Sequence, residues 1–216
     1  MNILITMNIR RQHALEDTLE HDYIDYFKSI GFSPFIIPNK SDYSHYFNSI
    51  NIEGVVLTGG IDLYDEDSKG KDIMQKMRDD FESEILSFCI KNSIPVLGIC
   101  RGMQFINKYF GGGLSYSIPN HVRENHQVYF SGREDYLFIV NSFHNHGIFK
   151  NDLAPELKAL IYTTSDDVIE GLYHDEYPIL ALQFHPERES KSDPLVVTLI
   201  RSFFENKVIK PEIPSR

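Results

Sequence analysis

Cys100 stands at the centre of Gly98-Ile99-Cys100-Arg101-Gly102, where an apolar run from Pro95 to Ile99 meets a helical pattern from Met103 to Tyr109. Glycines two residues before and after a nucleophile allow the strained strand-to-helix turn that lifts a side chain clear of a sheet. A helix N-terminus beneath a thiol lowers its pKa and favours the reactive thiolate. Taken alone, these five residues fit a buried structural cysteine in a glycine-containing turn equally well. A thiol nucleophile also needs a base, and the base needs something to orient it. His185-Pro186-Glu187 leaves another apolar run, Ile179 to Phe184. The proline fixes a turn in which Glu187 can hold one imidazole nitrogen while the other faces Cys100. A His-Pro pair by itself serves as readily to end a strand. Acyl transfer further requires donors for a developing oxyanion, and Val55-Val56-Leu57 ends in Thr58-Gly59-Gly60. The N–H of Gly60, with that of Arg101, would supply them; a Gly-Gly turn can equally cradle phosphate or simply reverse the chain.

These segments can act together only if the strands that carry them end at one sheet edge. Ile3 to Thr6 reads as a strand, and Leu15, Leu19, Tyr23, Phe27 and Ile30 recur at the spacing of a helix from Ala14 to Ile30, closed by Gly31. Phe32 to Ile37 and Gly54 to Leu57 read as strands, after which Ile73, Met77, Phe81, Ile85 and Cys89 mark the buried stripe of a long helix. Strands alternating with helices require right-handed crossovers and a parallel sheet covered on both faces, whose carboxyl edge is where such sheets bind ligands. Gln127 to Phe130, Tyr136 to Asn141, Leu157 to Tyr162 and Ile169 to Tyr173 follow as strands with short polar links, and Pro194 to Phe204 as a closing helix with proline in its first turn. The expected fold is therefore α/β: a doubly wound, mostly parallel central sheet with helices on both faces and a few antiparallel strands in the second half. One domain is expected over residues 1–209, with a loose tail at 210–216.

The chain of 216 residues has apolar content for one substantial core. Its 31 acidic against 21 basic residues give a net charge of −10, which opposes attraction to nucleic acid or anionic lipid. Two cysteines cannot staple a fold, and Met1 to Thr6 lacks the basic flank and long apolar run of a signal peptide, so a reducing cytoplasm is expected. No apolar run approaches the roughly 20 residues that cross a bilayer.

Gly98-Ile99-Cys100-Arg101-Gly102-Met103-Gln104, Thr58-Gly59-Gly60 and Phe184-His185-Pro186-Glu187 together resemble class I glutamine amidotransferases over nearly the whole chain. Cys100 to Gln104 and the upstream Arg78-Asp79-Asp80-Phe81-Glu82 are similar to the γ-glutamyl hydrolase (peptidase C26) branch rather than to a synthetase's glutaminase subunit. Val140-Asn141-Ser142-Phe143-His144 is similar to that branch's substrate-binding strand. The resemblance implies hydrolysis of a γ-glutamyl amide, with Cys100 as nucleophile, His185 as acid and base, Glu187 as its orienting carboxylate, and Gly60 and Arg101 as the oxyanion hole. It implies that Gln104, Asn141, Ser142 and Phe143 hold the γ-glutamyl moiety, and that no metal or organic cofactor is needed. His144 and His146, a His-x-His pair with no obvious carboxylate partner, read as hydrogen-bonding or substrate-binding residues rather than metal ligands.

Two departures fall on the side of the leaving group: Leu63-Tyr64-Asp65-Glu66-Asp67 lacks the proline usual nearby in the branch, and His146 stands where it commonly has Gln. Arg10 and Arg11 follow the first strand, and Arg188 and Lys191 follow Glu187. Such clustering in an acidic chain fits an anionic leaving group, a phosphate or nucleotide amide, and fits solvated charges as well. The partner expected is a small γ-glutamyl substrate, nucleotide-linked such as a CDP-amidate or carrying a small amine such as γ-aminobutyrate. A homo-oligomer, and a separate synthetase that takes ammonia from a glutaminase subunit, stay open.

Overall fold

A computed structural model describes residues 1–64, 73–188, 193–207 and 209–210. The first half runs β1 (Asn2–Thr6), β2 (Asn8–Arg11), β3 (Leu15–Thr18), α1 (His21–Ser29), β4 (Ser33–Ile37), α2 (Tyr43–Ser49), β5 (Ile52–Leu57), α3 (Ile73–Lys91), β6 (Val96–Ile99) and α4 (Arg101–Tyr109). The second runs β7 (Ser115–Tyr116), β8 (Val122–Phe130), β9 (Arg133–Phe143), β10 (His146–Gly147), β11 (Leu157–Thr163), β12 (Ile169–His174), β13 (Ile179–Leu182), a 3-10 turn at Pro186–Arg188 and α5 (Pro194–Asn206). Nine strands form one sheet in the order β4-β1-β5-β6-β13-β12-β11-β8-β9. The first five are parallel and the remainder pair antiparallel, which is the mixed α/β sheet the alternation of elements requires.

Helices cover both faces because successive strand residues point to opposite sides. Ile3 and Ile5 pack with Tyr23 and Phe27 of α1 and with Leu199 and Phe203 of α5. Leu4 points the other way, into the layer of Phe81 and Ile85 of α3 and Met103 and Ile106 of α4. In sheet order β5, β6 and β13 are parallel neighbours, so Thr58, Cys100 and His185 all emerge at one carboxyl edge.

Three expectations are corrected. The helix read over residues 14–30 begins at His21, because Leu15–Thr18 pairs with Asn8–Arg11 as an antiparallel hairpin. Leu15 is 42% exposed, so it is no part of a buried stripe, and the Arg10–Glu16 ion pair (3.1 Å) spans the ladder instead. In α3 Phe81, Ile85 and Cys89 are buried as expected, but Ile73 is exposed and Met77 only partly buried, and Arg78, Glu82 and Leu86 complete the inward face. The strand read to Phe184 ends at Leu182, although the Gln183 N–H still reaches Glu170 O at 2.9 Å. Helix α2 was not anticipated; Asp42 caps it by accepting from the Ser44 N–H at 3.0 Å, and Tyr43 and Phe47 pack on Phe88. Of the expected tail, residues 211–216 lie outside those described. No helix among the described residues is long and apolar enough to cross a membrane.

Candidate active site

Cys100 caps the N-terminus of α4 with φ 53° and ψ −106°, a left-handed conformation costly for a side chain other than glycine. Its N–H is tied to Leu182 O at 2.7 Å, so the turn is pinned to β13, the strand that leads to His185. Gly102 is required by close approach, since a Cβ there would lie 2.2 Å from Leu57 O. The elbow expected at Gly98–Gly102 is therefore present, held by backbone contacts.

His185 directs Nδ1 at Glu187 Oε1, 2.5 Å away, and its other nitrogen at Cys100. Burial works against a charged imidazole, but the facing Cys100 sulfur and the Glu187 carboxylate outweigh it and push His185 up to about 10. Burial likewise opposes a thiolate, yet the charge and hydrogen bond of His185 hold the Cys100 thiol below its ordinary range. Each partner thus favours the charged form of the other, thiolate beside imidazolium. Cys89 is buried without such a partner, and its thiol is pushed far up.

Asn141, expected among the substrate contacts, brackets the His185 backbone: its Oδ1 accepts from the His185 N–H (2.9 Å) and its Nδ2 donates to His185 O (2.8 Å). Ser142 is likewise turned inward, donating to His121 O at 2.6 Å. Gln183, which no motif singled out, is fully buried with Nε2 3.8 Å from Cys100 Sγ and Oε1 3.3 Å from Gln104 Nε2. Gln104 also reaches His146 O (3.3 Å). Phe143 stays half-exposed at the mouth, its ring edge-on to His185 (6.1 Å) and beneath the Arg188 guanidinium (4.9 Å). His146 lies near Asp62 (3.4 Å), whereas His144 turns away from the mouth toward Glu170 (3.3 Å).

The Thr58-Gly59-Gly60 turn is built by residues far along the chain. Gly59 N–H donates to the Tyr23 hydroxyl (2.9 Å) and Ile61 N–H to Asn8 Oδ1 (3.1 Å), so Gly60 is the amide this turn can offer a ligand. Gly60 has φ 136°, and a Cβ there would meet Asn8 Oδ1 at 2.2 Å. Arg78, wholly buried, clamps the turn by donating to Thr58 O (2.7 Å), Gly59 O (2.9 Å) and Asn8 Oδ1 (3.0 Å). Glu82 holds Arg78 (3.1 Å), accepts from Thr6 Oγ1 (2.8 Å) and pairs with Arg101, which also pairs with Asp79. The Arg101 side chain thus anchors the elbow to α3, while its N–H opens the first turn of α4, where a helix has no acceptor of its own.

Beside the turn lies a cavity of about 300 Å³ lined among others by Asn8, Arg10, Tyr23, Gly59, Gly60 and Arg188. Arg10 and Arg188 are therefore brought to the active edge, each meanwhile paired with a carboxylate, Glu16 (3.1 Å) and Glu20 (2.7 Å). Arg11 is exposed and does not line it, as alternation along β2 dictates. Lys191 and Asp65-Glu66-Asp67 fall outside the described residues.

A parallel sheet with a strained thiol turn and an imidazole at the same edge defines the class of glutamine amidotransferase-like amide hydrolases. The chain belongs to the peptidase C26 family, whose model matches residues 2–187. It is 36% identical over 166 residues to the γ-glutamyl-CDP-amidate hydrolase of Campylobacter jejuni, covering 77% of this chain and 76% of that protein. It is 31% identical over 189 residues to a putative glutamine amidotransferase-like protein of Lactococcus lactis, covering 76% of this chain and 78% of the relative. Among solved structures, a glutamine amidotransferase of Thermotoga maritima superposes with TM-score 0.63 at 16% identity over 95% of this chain and 84% of that one, a likeness of fold.

The state of the thiol is open to direct measurement. Alkylation of Cys100 by iodoacetamide should stay fast below the ordinary thiol range near 8.5, falling only as pH drops through the lowered Cys100 pKa, and His185→Ala should move that midpoint upward. Peptide mass mapping should find the label at Cys100 and none at Cys89; an unshifted midpoint would refute the ion pair.

Proposed function

We propose that this enzyme hydrolyses a γ-glutamyl amide through a thioester at Cys100, and that its leaving group is a nucleotide amidate. The observation that carries the reading is the lowered thiol of Cys100 facing His185, itself paired with Glu187. The thiolate attacks the γ-carbonyl, the N–H groups of Gly60 and Arg101 receive the oxyanion, and imidazolium His185 protonates the departing nitrogen. Neutral His185 then takes a proton from water, which attacks the thioester and releases glutamate. With γ-glutamyl-CDP-amidate the other product is CDP-amidate, as synthesis of phosphoramidate groups on capsular sugars would need. Support comes from the Campylobacter relative's own activity and from Arg10 and Arg188 beside the Gly59-Gly60 turn.

A second reading has its own observation. The chain is 38% identical over 111 residues to the carbamoyl phosphate synthase small chain of Saccharolobus solfataricus, across 49% of this chain and 29% of that protein. As a glutaminase subunit, the chain would release only ammonia and would need a partner. Comparison of kcat/KM for glutamine, γ-glutamyl-γ-aminobutyrate and γ-glutamyl-CDP-amidate separates the readings, and the nucleotide amide should be preferred. Arg10→Ala or Arg188→Ala should then lower kcat/KM for the nucleotide amide about 10- to 100-fold, the worth of a charge-assisted phosphate contact of ~1.5–3 kcal/mol, and leave glutamine little changed. Arg11→Ala should leave both substrates little changed. Equal losses on both substrates would assign the arginines to their Glu16 and Glu20 pairs.

A further inference from the structure

His121, His126, His144 and Glu170 are all buried and have no part in the proton transfers proposed above. They come from three places in the sheet: His121 immediately before β8 and His126 within it, His144 immediately after β9, and Glu170 in β12. One potential ligand atom from each lies within 4.8 Å of every other. Glu170 Oε1 is 3.3 Å from His144 Nε2 and 3.9 Å from His121 Nδ1.

The outer nitrogens settle which inner atoms carry lone pairs. His144 Nδ1 lies 2.9 Å from His146 O, and a carbonyl can only accept, so in the neutral ring the proton is on Nδ1 and Nε2 is a lone pair. His121 Nε2 lies 3.0 Å from Asp166 Oδ2, which places its proton there and turns the Nδ1 lone pair inward. Among the described residues His121 Nδ1, His126 Nε2, His144 Nε2 and both oxygens of Glu170 have no hydrogen-bond partner. Several potential ligand atoms thus converge in a buried space where the donor at hand for Glu170 is an imidazole proton, such as one on His144 3.3 Å away, and a cation would satisfy the cluster more fully.

We propose that His121, His126, His144 and Glu170 bind one divalent metal ion of the zinc class. Three imidazoles and one carboxylate are a zinc-type donor set, and bonds of ~2.0–2.1 Å to tetrahedral ligands put the ligand atoms about 3.3–3.4 Å apart, the His144–Glu170 separation already present. Asp166 and the His146 carbonyl supply the outer hydrogen bonds that metal-bound histidines characteristically make. The second acidic side chain also balances the charge: a dication with Glu170 leaves one positive charge, which faces Asp166. Such an ion ties β8, β9 and β12 together close behind Cys100, with which His144 interacts electrostatically. It is a structural site, since the thiol route uses His185 and Glu187, and it stands whatever the leaving group proves to be. The His-x-His pair in the sequence pointed elsewhere, because the ligands that join His144 lie far along the chain and His146 contributes its carbonyl.

Metal analysis of the full-length chain, stripped with a chelator, exposed to Zn²⁺ and desalted, should return about one zinc per chain. Zn²⁺ should raise the Tm of the stripped protein by about 5–10 °C at a free concentration roughly a hundred times the dissociation constant. Co²⁺ should give the visible bands of a four-coordinate site without thiolate charge transfer. Cys100→Ser should keep the metal, His126→Ala and Glu170→Gln should lose it, and Asp166→Asn, a surface-accessible change, should weaken binding about 10- to 100-fold. Less than a tenth of an equivalent in the wild type, as expected if a proton on His144 alone serves Glu170, would overturn the proposal. So would full retention in both His126→Ala and Glu170→Gln, or thiolate bands with Co²⁺.

Discussion

Cys100→Ser is expected to lower kcat/KM by at least ~10⁴-fold while Tm stays within a few degrees of the wild type, because the turn is held by backbone and not by sulfur. The Cys100 N–H reaches Leu182 O, and Gly102 packs on Leu57 O, whatever side chain stands between. Serine at this position keeps the size but not the acidity of a thiol, so a hydroxyl facing His185 stays protonated where the thiol ionises. His185→Ala should cost nearly as much and Glu187→Gln less, since Glu187 orients the ring and stabilises its charge without touching the carbonyl. The double variant Cys100→Ser/His185→Ala should be little worse than either single one, as groups acting in one unit are far from additive. Cys89→Ser should stay active, for Cys89 sits on the buried face of α3 with no base beside it. Activity in Cys100→Ser near the wild-type level, or additive losses in the double variant, would remove Cys100 and His185 from the chemistry.

How much of this was legible in the sequence depended on how local its cause is. The elbow was readable because Gly98, Cys100 and Gly102 are neighbours and an apolar strand runs straight into them. His185-Pro186-Glu187 was readable for the same reason. Arg78 and Glu82 appeared only as part of a family pattern. Helical periodicity looks for apolar residues, and it found Phe81, Ile85 and Cys89 on the inward face of α3 but extended the stripe to Ile73 and Met77, whereas that face also carries the Arg78–Glu82 ion pair. The β2–β3 hairpin was hidden because Leu15 and Leu19 mimic a helical stripe and the turn at Gln12-His13-Ala14 holds neither glycine nor proline. Asn141 bears the residue type of a substrate contact, and only the fold shows it bracketing the His185 backbone. Gln183 lies in an otherwise apolar run, where a polar residue at the end of a strand aimed at the site was the available signal. His121, His126 and Glu170 carry none, since strand pairing alone brings them together.

Glu82→Ala should be the most destabilising single change in the site, at about 3–5 kcal/mol. Glu82 is fully buried between two guanidiniums, Arg78 and Arg101, and accepts from Thr6. Removing it leaves two positive charges facing each other in the interior; burial and Arg101 already lower Arg78 to about 10 with Glu82 in place. For a chain of this size that loss corresponds to a fall in Tm of about 6–20 °C. The sign of its pH dependence follows from the same contacts. Burial would raise the Glu82 pKa, but the charges of Arg101 and Arg78 outweigh it and hold the carboxyl below its usual value. A depressed folded-state pKa contributes stability above the unfolded value of about 4.3, and that contribution is lost as pH falls through the folded one. The gap between wild type and Glu82→Gln in chemical denaturation should therefore be full at neutral pH and narrow in acid. An Arg78→Met/Glu82→Leu double variant separates stability from catalysis. Replacing the buried pair by apolar side chains should recover only part of the lost stability, because Arg101 keeps Asp79 alone and the carbonyls of Thr58 and Gly59 lose their donor, while activity stays low because nothing then clamps those carbonyls. Recovery of both together would show that the turn needs no clamp, and that the buried charges serve the fold alone.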